Sequence, residues 1–223
     1  MAVLVWDAVG ERFYETGTKK GVLWVYDSTQ KKYGKGVAWN GLTAVTESPS
    51  GADANDQYAD DIKYLSLRGR EEFGGTIEAF TAPDEFGVCD GSANLGEGVT
   101  IRQQTRKPFA FSYVTIHGND TEFEDHGYKI HIVYGATASP SERSYSTVND
   151  SPDIATLSWE FTTTPVEVTG FKPTAHVEID STTTDAAVLK KIEDTLWGSS
   201  DKESELMMPN EILALLASSS TEG

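Results

Sequence analysis

The stretch Tyr128-Lys129-Ile130-His131-Ile132-Val133-Tyr134 places an apolar or aromatic side chain at every second position. Successive side chains of an extended chain point to opposite faces, so this spacing puts Tyr128, Ile130, Ile132 and Tyr134 on one side of a strand. His131 then faces the other way, toward solvent or a partner. The same period recurs in residues 100–115 through Ile101, Phe109, Phe111 and Tyr113. It returns in residues 157–161 (Leu157, Trp159, Phe161) and 175–179 (Ala175, Val177, Ile179). Residues 22–26, 37–46, 62–67 and 76–81 are further strand candidates. Turn formers separate these runs, including Ser48-Pro49-Ser50-Gly51, Asp90-Gly91 and Asn149-Asp150-Ser151-Pro152. Such alternation marks antiparallel sheets packed on one face, so the body reads as mainly β, a sandwich or barrel.

One helix interrupts the pattern. Val188, Leu189, Ile192 and Leu196 form a single apolar stripe at helical spacing. Thr184 or Asp185 is placed to cap its start, and Gly198 stands where a left-handed residue ends a helix. The expected helix spans residues 185–197 and flanks the sheet. Beyond it the chain turns polar, from Ser199 to Glu205. A second short helix is predicted after Pro209, carrying Ile212, Leu213, Leu215 and Leu216. The chain thus divides into an N-terminal arm or hairpin (1–36), a β domain (37–198) and a mobile C-terminal extension (199–223).

Composition excludes several classes. The 223 residues hold 18 Lys and Arg against 35 Asp and Glu, a net charge of −17. That balance disfavours tight binding of DNA or of anionic membranes. No apolar run approaches the roughly 18–20 residues that span a bilayer. The apolar start, Met1 to Trp6, is too short and too soon charged for a signal peptide, so a cytoplasmic start is expected. The single Cys89 excludes an internal disulfide framework, and with no basic neighbour it reads as an idle or buried thiol. Charge is uneven. Residues 1–36 carry +2 and the remainder −19, so one copy's arm would be attracted to another copy's body, unless the asymmetry is only that of a solvated surface.

Residues 47–61 form the longest polar stretch within the body, rich in Asp, Ser and Asn with Tyr58 the one large apolar residue. It is read either as an interaction element or as a flexible acidic loop. Phosphate loops, dinucleotide fingerprints and nucleophile elbows are absent from the sequence. His126 beside Asp125 offers a metal ligand or a base, but His117, His126, His131 and His176 lie among polar residues as surface histidines commonly do. No catalytic, cofactor or metal constellation emerges.

The ordered segments resemble the major tail protein, or tail tube protein, of long-tailed bacteriophages of the siphophage type. The likeness is carried by GVAWNGLTAVTESPSG (36–51), YADDIKYL (58–65), EEFGGTIEAFTAPDEF (71–86) and CDGSANLGEGVTIRQQTRK (89–107). It continues in HGYKIHIVYGATASPSERSYSTVNDSPDIATLSWEFTTTPV (126–166) and KPTAHVEIDSTTTDAAVLKKIEDTLWG (172–198). The resemblance covers residues 13–198 and stops there. It implies a tail-tube-type β-sandwich or half-barrel with one flanking helix. Six copies would form a ring, rings would stack into a hollow tube, and inner strands would join into a ring-wide β-barrel.

By the same resemblance the protein is a non-enzymatic virion component without cofactor, assembled in the host cytoplasm. Its partners would be itself, a tape measure protein and a tail terminator, with DNA passing through without tight binding and no membrane involved. Candidate assembly contacts are Phe13, Tyr14, Lys19, Lys20 and Trp24 in the basic segment, and Asp53, Asp56, Tyr58, Asp60 and Asp61 in the acidic stretch. Two alternatives have different signatures. A monomeric β-sandwich binding a carbohydrate would be stabilised by ligand, and a metal-assisted hydrolase would depend on His126 and Asp125.

Overall fold

A computed structural model describes residues 3–51, 53–145, 147 and 154–219. The expected turn at Asn149–Pro152 and the last four residues lie outside the described residues. The chain opens into β1 (Tyr14–Asp27), β2 (Lys32–Tyr33), β3 (Val37–Trp39) and β4 (Leu42–Glu47). Short strands β5 (Ser50–Gly51) and β8 (Glu71–Glu72) bracket a hairpin of β6 (Ala54–Ala59) and β7 (Ile62–Arg68). Then follow β9 (Gly74–Ala79), the short helix α1 (Gly87–Asp90), and the hairpin β10 (Ala93–Gly96) and β11 (Val99–Ile101). Long strands β12 (Phe109–Asn119) and β13 (Phe123–Ala138) lead to β14 (Leu157–Thr163) and β15 (His176–Asp180). Helices α2 (Ala186–Leu196) and α3 (Pro209–Ser219) close the chain.

The main sheet runs β2-β1-β12-β13-β14-β9-β4, with β3 added to β1 and β15 to β13, and every pairing is antiparallel. It curls around a first core until β4 lies back beside β1, where Leu42 packs on Gly21. The mainly β architecture with a curled sheet and flanking helix therefore agrees with the reading from sequence.

Residues 100–115 do not make one strand, however. Pro108 lacks an N–H for a ladder, and backbone bonds from Gln104 to Gly91 and from Lys107 to Val88 hold residues 102–108 as a loop. Residues 37–46 likewise break, at Gly41, whose φ of +75° turns the chain from β3 into β4.

Packing on one face only is also corrected, because two cores lie on opposite faces of the sheet. Leu23, Phe109, Phe111, Val133, Trp159 and Phe161 fill the first, inside the curl. Trp24, Ala110, Val114, Ile130, Ile132 and Tyr134 fill the second, beneath α2 and the segment that follows it. Central strands are therefore buried on both faces, and Phe109 through Val114 are all inaccessible.

A β-bulge redirects β13. Phe109 pairs with Ala136, but Phe111 pairs with Val133, which leaves one extra residue on β13. Gly135 supplies the left-handed conformation there, at φ +60°, and a Cβ on it would come within 2.3 Å of the Thr164 carbonyl oxygen. The extra residue reverses the alternation, so Ile130, Ile132 and Tyr134 face the second core while Ala136 and Ala138 face the first. Before the bulge β13 pairs with β15, and after it with β14.

Helix α2 begins as its sequence predicts. Asp185 caps it, with Oδ1 accepting from the backbone N–H groups of Ala187 (3.0 Å) and Val188 (3.1 Å). Gly198 ends it at φ +78°. Asp185→Ala is expected to lower stability by about 1 kcal/mol, because two N–H groups of the first turn lose their acceptor. Urea denaturation of the two proteins measures it. Past Gly198 the chain folds back onto the second core. Met207 and Ile212 are buried there, and the Tyr134 hydroxyl donates to the Met207 carbonyl at 2.8 Å.

Candidate functional site

The polar stretch at 47–61 is not a loop but the first half of a β-arm. β6 and β7 pair along their length around Asp60 and Asp61, both at positive φ (52° and 60°), a two-residue turn of the kind that matches strand twist. The arm rises from the β5–β8 pair, and Asp56 and Lys63 join across it at 2.7 Å. Cross-strand register places Asn55, Gln57, Ala59, Ile62, Leu65 and Leu67 on one face. Ile62 is 64% exposed, Tyr58 on the opposite face is 70% exposed, and no residue of β7 is buried. Residues 62–67 are thus a strand, as read, but a strand standing in solvent with an uncovered apolar side. This set of Ile62, Leu65 and Leu67 escaped the sequence reading because alternation looks the same whatever covers it.

Of the ten expected contact residues, Asp53, Asp56, Tyr58, Asp60 and Asp61 share the arm. Phe13, Tyr14, Lys19 and Lys20 lie at or near the outer half of β1. Phe13 packs on the rings of His117 and His126 at 5.5 and 5.3 Å, and Tyr14 lies over Gly118. Lys20 holds its ammonium 3.8 Å from the Trp197 ring centroid, within the same chain. Trp24 does not belong with them. It is 0% exposed in the second core, because β1 passes under α2 after Lys20 and its alternation becomes burial on both faces. A further apolar strip is exposed before β1, at Val3, Leu4, Val5, Trp6 and Val9, with Trp6 75% exposed. Past this strip, Gly10 donates to Asp120 at 2.9 Å and Arg12 pairs with the same carboxylate at 3.6 Å.

A second constellation sits where the first core reaches the end of the curl. His131 does face away from Ile130 and Ile132, yet it is buried and not solvent-facing, because β4, β15 and Glu15 of β1 close over that end. Its Nδ1 lies 3.2 Å from His176 Nε2, and its Nε2 lies 2.9 Å from Thr115 Oγ1 and 3.3 Å from Glu15 Oε1. Thr115 donates to Glu15 Oε1 at 2.6 Å. Glu47 Oε1 accepts from the Tyr113 hydroxyl at 2.5 Å and is 3.6 Å from both imidazoles. Lys129 pairs with Glu15 and Glu178, each at 2.9 Å.

The electrostatics follow from these contacts. Burial pushes the His176 imidazole toward its neutral form, and Glu47 opposes that only in part. Burial alone would raise the Glu15 carboxyl, but hydrogen bonds from Thr115 and Lys129 hold it below its usual range. Burial and then the bond to Glu47 push the Tyr113 phenol up, so it stays a donor. No spacing in the sequence announces this group, since its members come from five strands. His126 stands elsewhere, with Glu122 at 2.6 Å and Asn119 at 3.2 Å. Among the described residues, the His/carboxylate group with metal-ligand proximity is Glu47, His131 and His176, not His126 with Asp125. Cys89 is buried beside the first core, and burial pushes its thiol up to about 12.

The molecule is thus a curled antiparallel β-sheet with α2 and α3 on the second core and one projecting hairpin with an exposed apolar side. No protein-family model matches the chain, and no curated protein sequence matches it. Among solved structures it is similar to a chain of the PVC sheath–tube complex of an extracellular contractile injection system in the extended state. That match has 16% identity and a TM-score of 0.30, covering 78% of this chain and 93% of the other. A chain of the PVC sheath/tube terminator in the extended state is similar at 15% identity and a TM-score of 0.28, over 79% and 99%.

Proposed function

We propose that this protein is a structural subunit of a phage-type tail tube, which polymerises into stacked hexameric rings around a channel for DNA. The observation that carries the reading is the β6–β7 arm. A hairpin in which no residue of either strand is buried, and which presents Ile62, Leu65 and Leu67 together, is built to be covered by another molecule. Its unpaired backbone edges would aggregate unless a neighbour pairs them. A head-to-tail contact made by an arm closes into a ring when the rotation allows. The order of the sequence segments resembles tail tube proteins and supports the same assignment.

The net charge of −17 suits such a channel. An acidic wall repels duplex DNA, which carries one charge per ~1.7 Å of axis, over a screening length of about 8 Å at physiological ionic strength. It would keep the genome from sticking without driving it. A tape measure protein and a tail terminator would be its other partners.

Negative-stain electron microscopy of the purified protein is the test. Rings or tubes of uniform width, formed without added ligand, are expected. A protein that stays monomeric at high concentration and is stabilised by a carbohydrate would overturn the proposal in favour of a binding module.

A further inference from the structure

His131 Nδ1, His176 Nε2 and Glu47 Oε1 form a triangle with sides of 3.2, 3.6 and 3.6 Å. The point equidistant from its corners lies about 2.0 Å from each, the length of zinc–nitrogen and zinc–oxygen bonds. We propose that Glu47, His131 and His176 bind a divalent cation of the zinc class, with Glu178 able to supply a fourth ligand. The Glu178 carboxylate is 4.0 Å from His131 Nδ1 and half-exposed, so it can turn toward the same centre.

Charge supports a cation here. Glu15, Glu47 and Glu178 surround the histidines, and among the described residues Lys129 is the lysine or arginine that pairs with any of them. Lys129 is shared by Glu15 and Glu178 and does not reach Glu47. Three carboxylates and one ammonium leave two negative charges, which a divalent ion would balance. Two imidazoles select against calcium and magnesium, which take oxygen ligands, and favour zinc and its neighbours.

The surroundings orient the ligands. His131 presents Nδ1 because its Nε2 is engaged by Thr115 and Glu15, the carboxylate–histidine arrangement that fixes a metal-bound imidazole. Glu47 is held by Tyr113, and the Phe73 ring lies against His176 at 4.8 Å. The two imidazole nitrogens are within hydrogen-bond reach of each other, so the cation would replace the proton they share.

Such an ion would also join parts of the sheet that no ladder connects. β4 pairs with β9, whereas His131 and His176 belong to β13 and β15. Glu47 ends β4, the strand that leads into the β5–β8 pair and the arm, so the ion would sit close to the arm's root.

The full-length protein, stripped with EDTA and dialysed, is titrated with Zn2+ by calorimetry and its melting followed. One equivalent is expected to bind, and a concentration about a hundred times Kd should raise the midpoint by about 5–10 °C. Co2+ in the site should give the visible absorption of a low-coordinate nitrogen/oxygen environment. His176→Ala is expected to abolish binding. Glu47→Gln, which keeps the shape and an acceptor for Tyr113, should weaken it at least tenfold, so the test survives if the alanine variant fails to fold. His126→Ala should leave binding unchanged. Absence of stoichiometric Zn2+ binding, its loss in His126→Ala, or equal response to Mg2+ would each overturn the proposal. Because binding is read on the dispersed protein, the result is independent of whether tubes form.

Discussion

Excision of β6 and β7, joining Asp53 directly to Gly69, is expected to abolish tube formation while leaving a folded, soluble protein. Those two residues are already close, since the Gly69 N–H points to the Asp53 carbonyl at 3.4 Å, so the cut calls for only a local closure. Among the described residues no member of either core belongs to the arm, and the melting midpoint should move little. Each of Ile62, Leu65 and Leu67 contributes about 1.5–3 kcal/mol if buried against a neighbour. A repeating array loses that term at every contact. Sedimentation and electron microscopy of the excised and parent proteins decide the matter, and normal tubes from the excised protein would sink the arm's role. Removing only residues 53–60, within the polar stretch 47–61 that the sequence marks, is the poorer experiment. It deletes β6 and leaves β7 as an unpaired apolar strand.

Trp24→Ala is expected to destabilise the fold by about 3–5 kcal/mol, through the lost burial and the cavity left beneath α2. For a protein of this size that corresponds to a fall of about 6–20 °C in the melting midpoint. Any assembly defect would then follow from unfolding. Phe13→Ala, at an exposed position whose ring contacts are two histidines, should cost about 1 kcal/mol or less. Thermal melts of the dispersed proteins separate the two cases. Equal midpoints for Trp24→Ala and the parent would show that Trp24 is not the core residue its surroundings indicate.

Three elements illustrate what could be read in advance. The alternation at 128–134 marks β13, and the cap-to-glycine pattern from Asp185 to Gly198 bounds α2 nearly to the residue. Both depend on contacts a few residues apart, which local sequence encodes. The arm was legible only in part. Its second strand is read at residues 62–67, but the turn at Asp60-Asp61 is not, and whether the strand lies in the body or in solvent depends on what packs over it. Trp24 errs in the opposite direction, because it neighbours exposed lysines in sequence and is covered by a helix more than 160 residues later.

The sequence by itself determined the antiparallel strands, the capped helix and the acidic surface, because period, capping and net charge are properties of local order and composition. The tertiary structure alone decided that the sheet is buried on both faces, that Gly135 reverses the facing of β13, and which apolar residues remain uncovered. It alone brought Glu47, His131 and His176 within 3.2 to 3.6 Å. Such approaches are set by strand register and sheet curl, which close distances between residues up to 129 positions apart and leave no periodic trace along the chain.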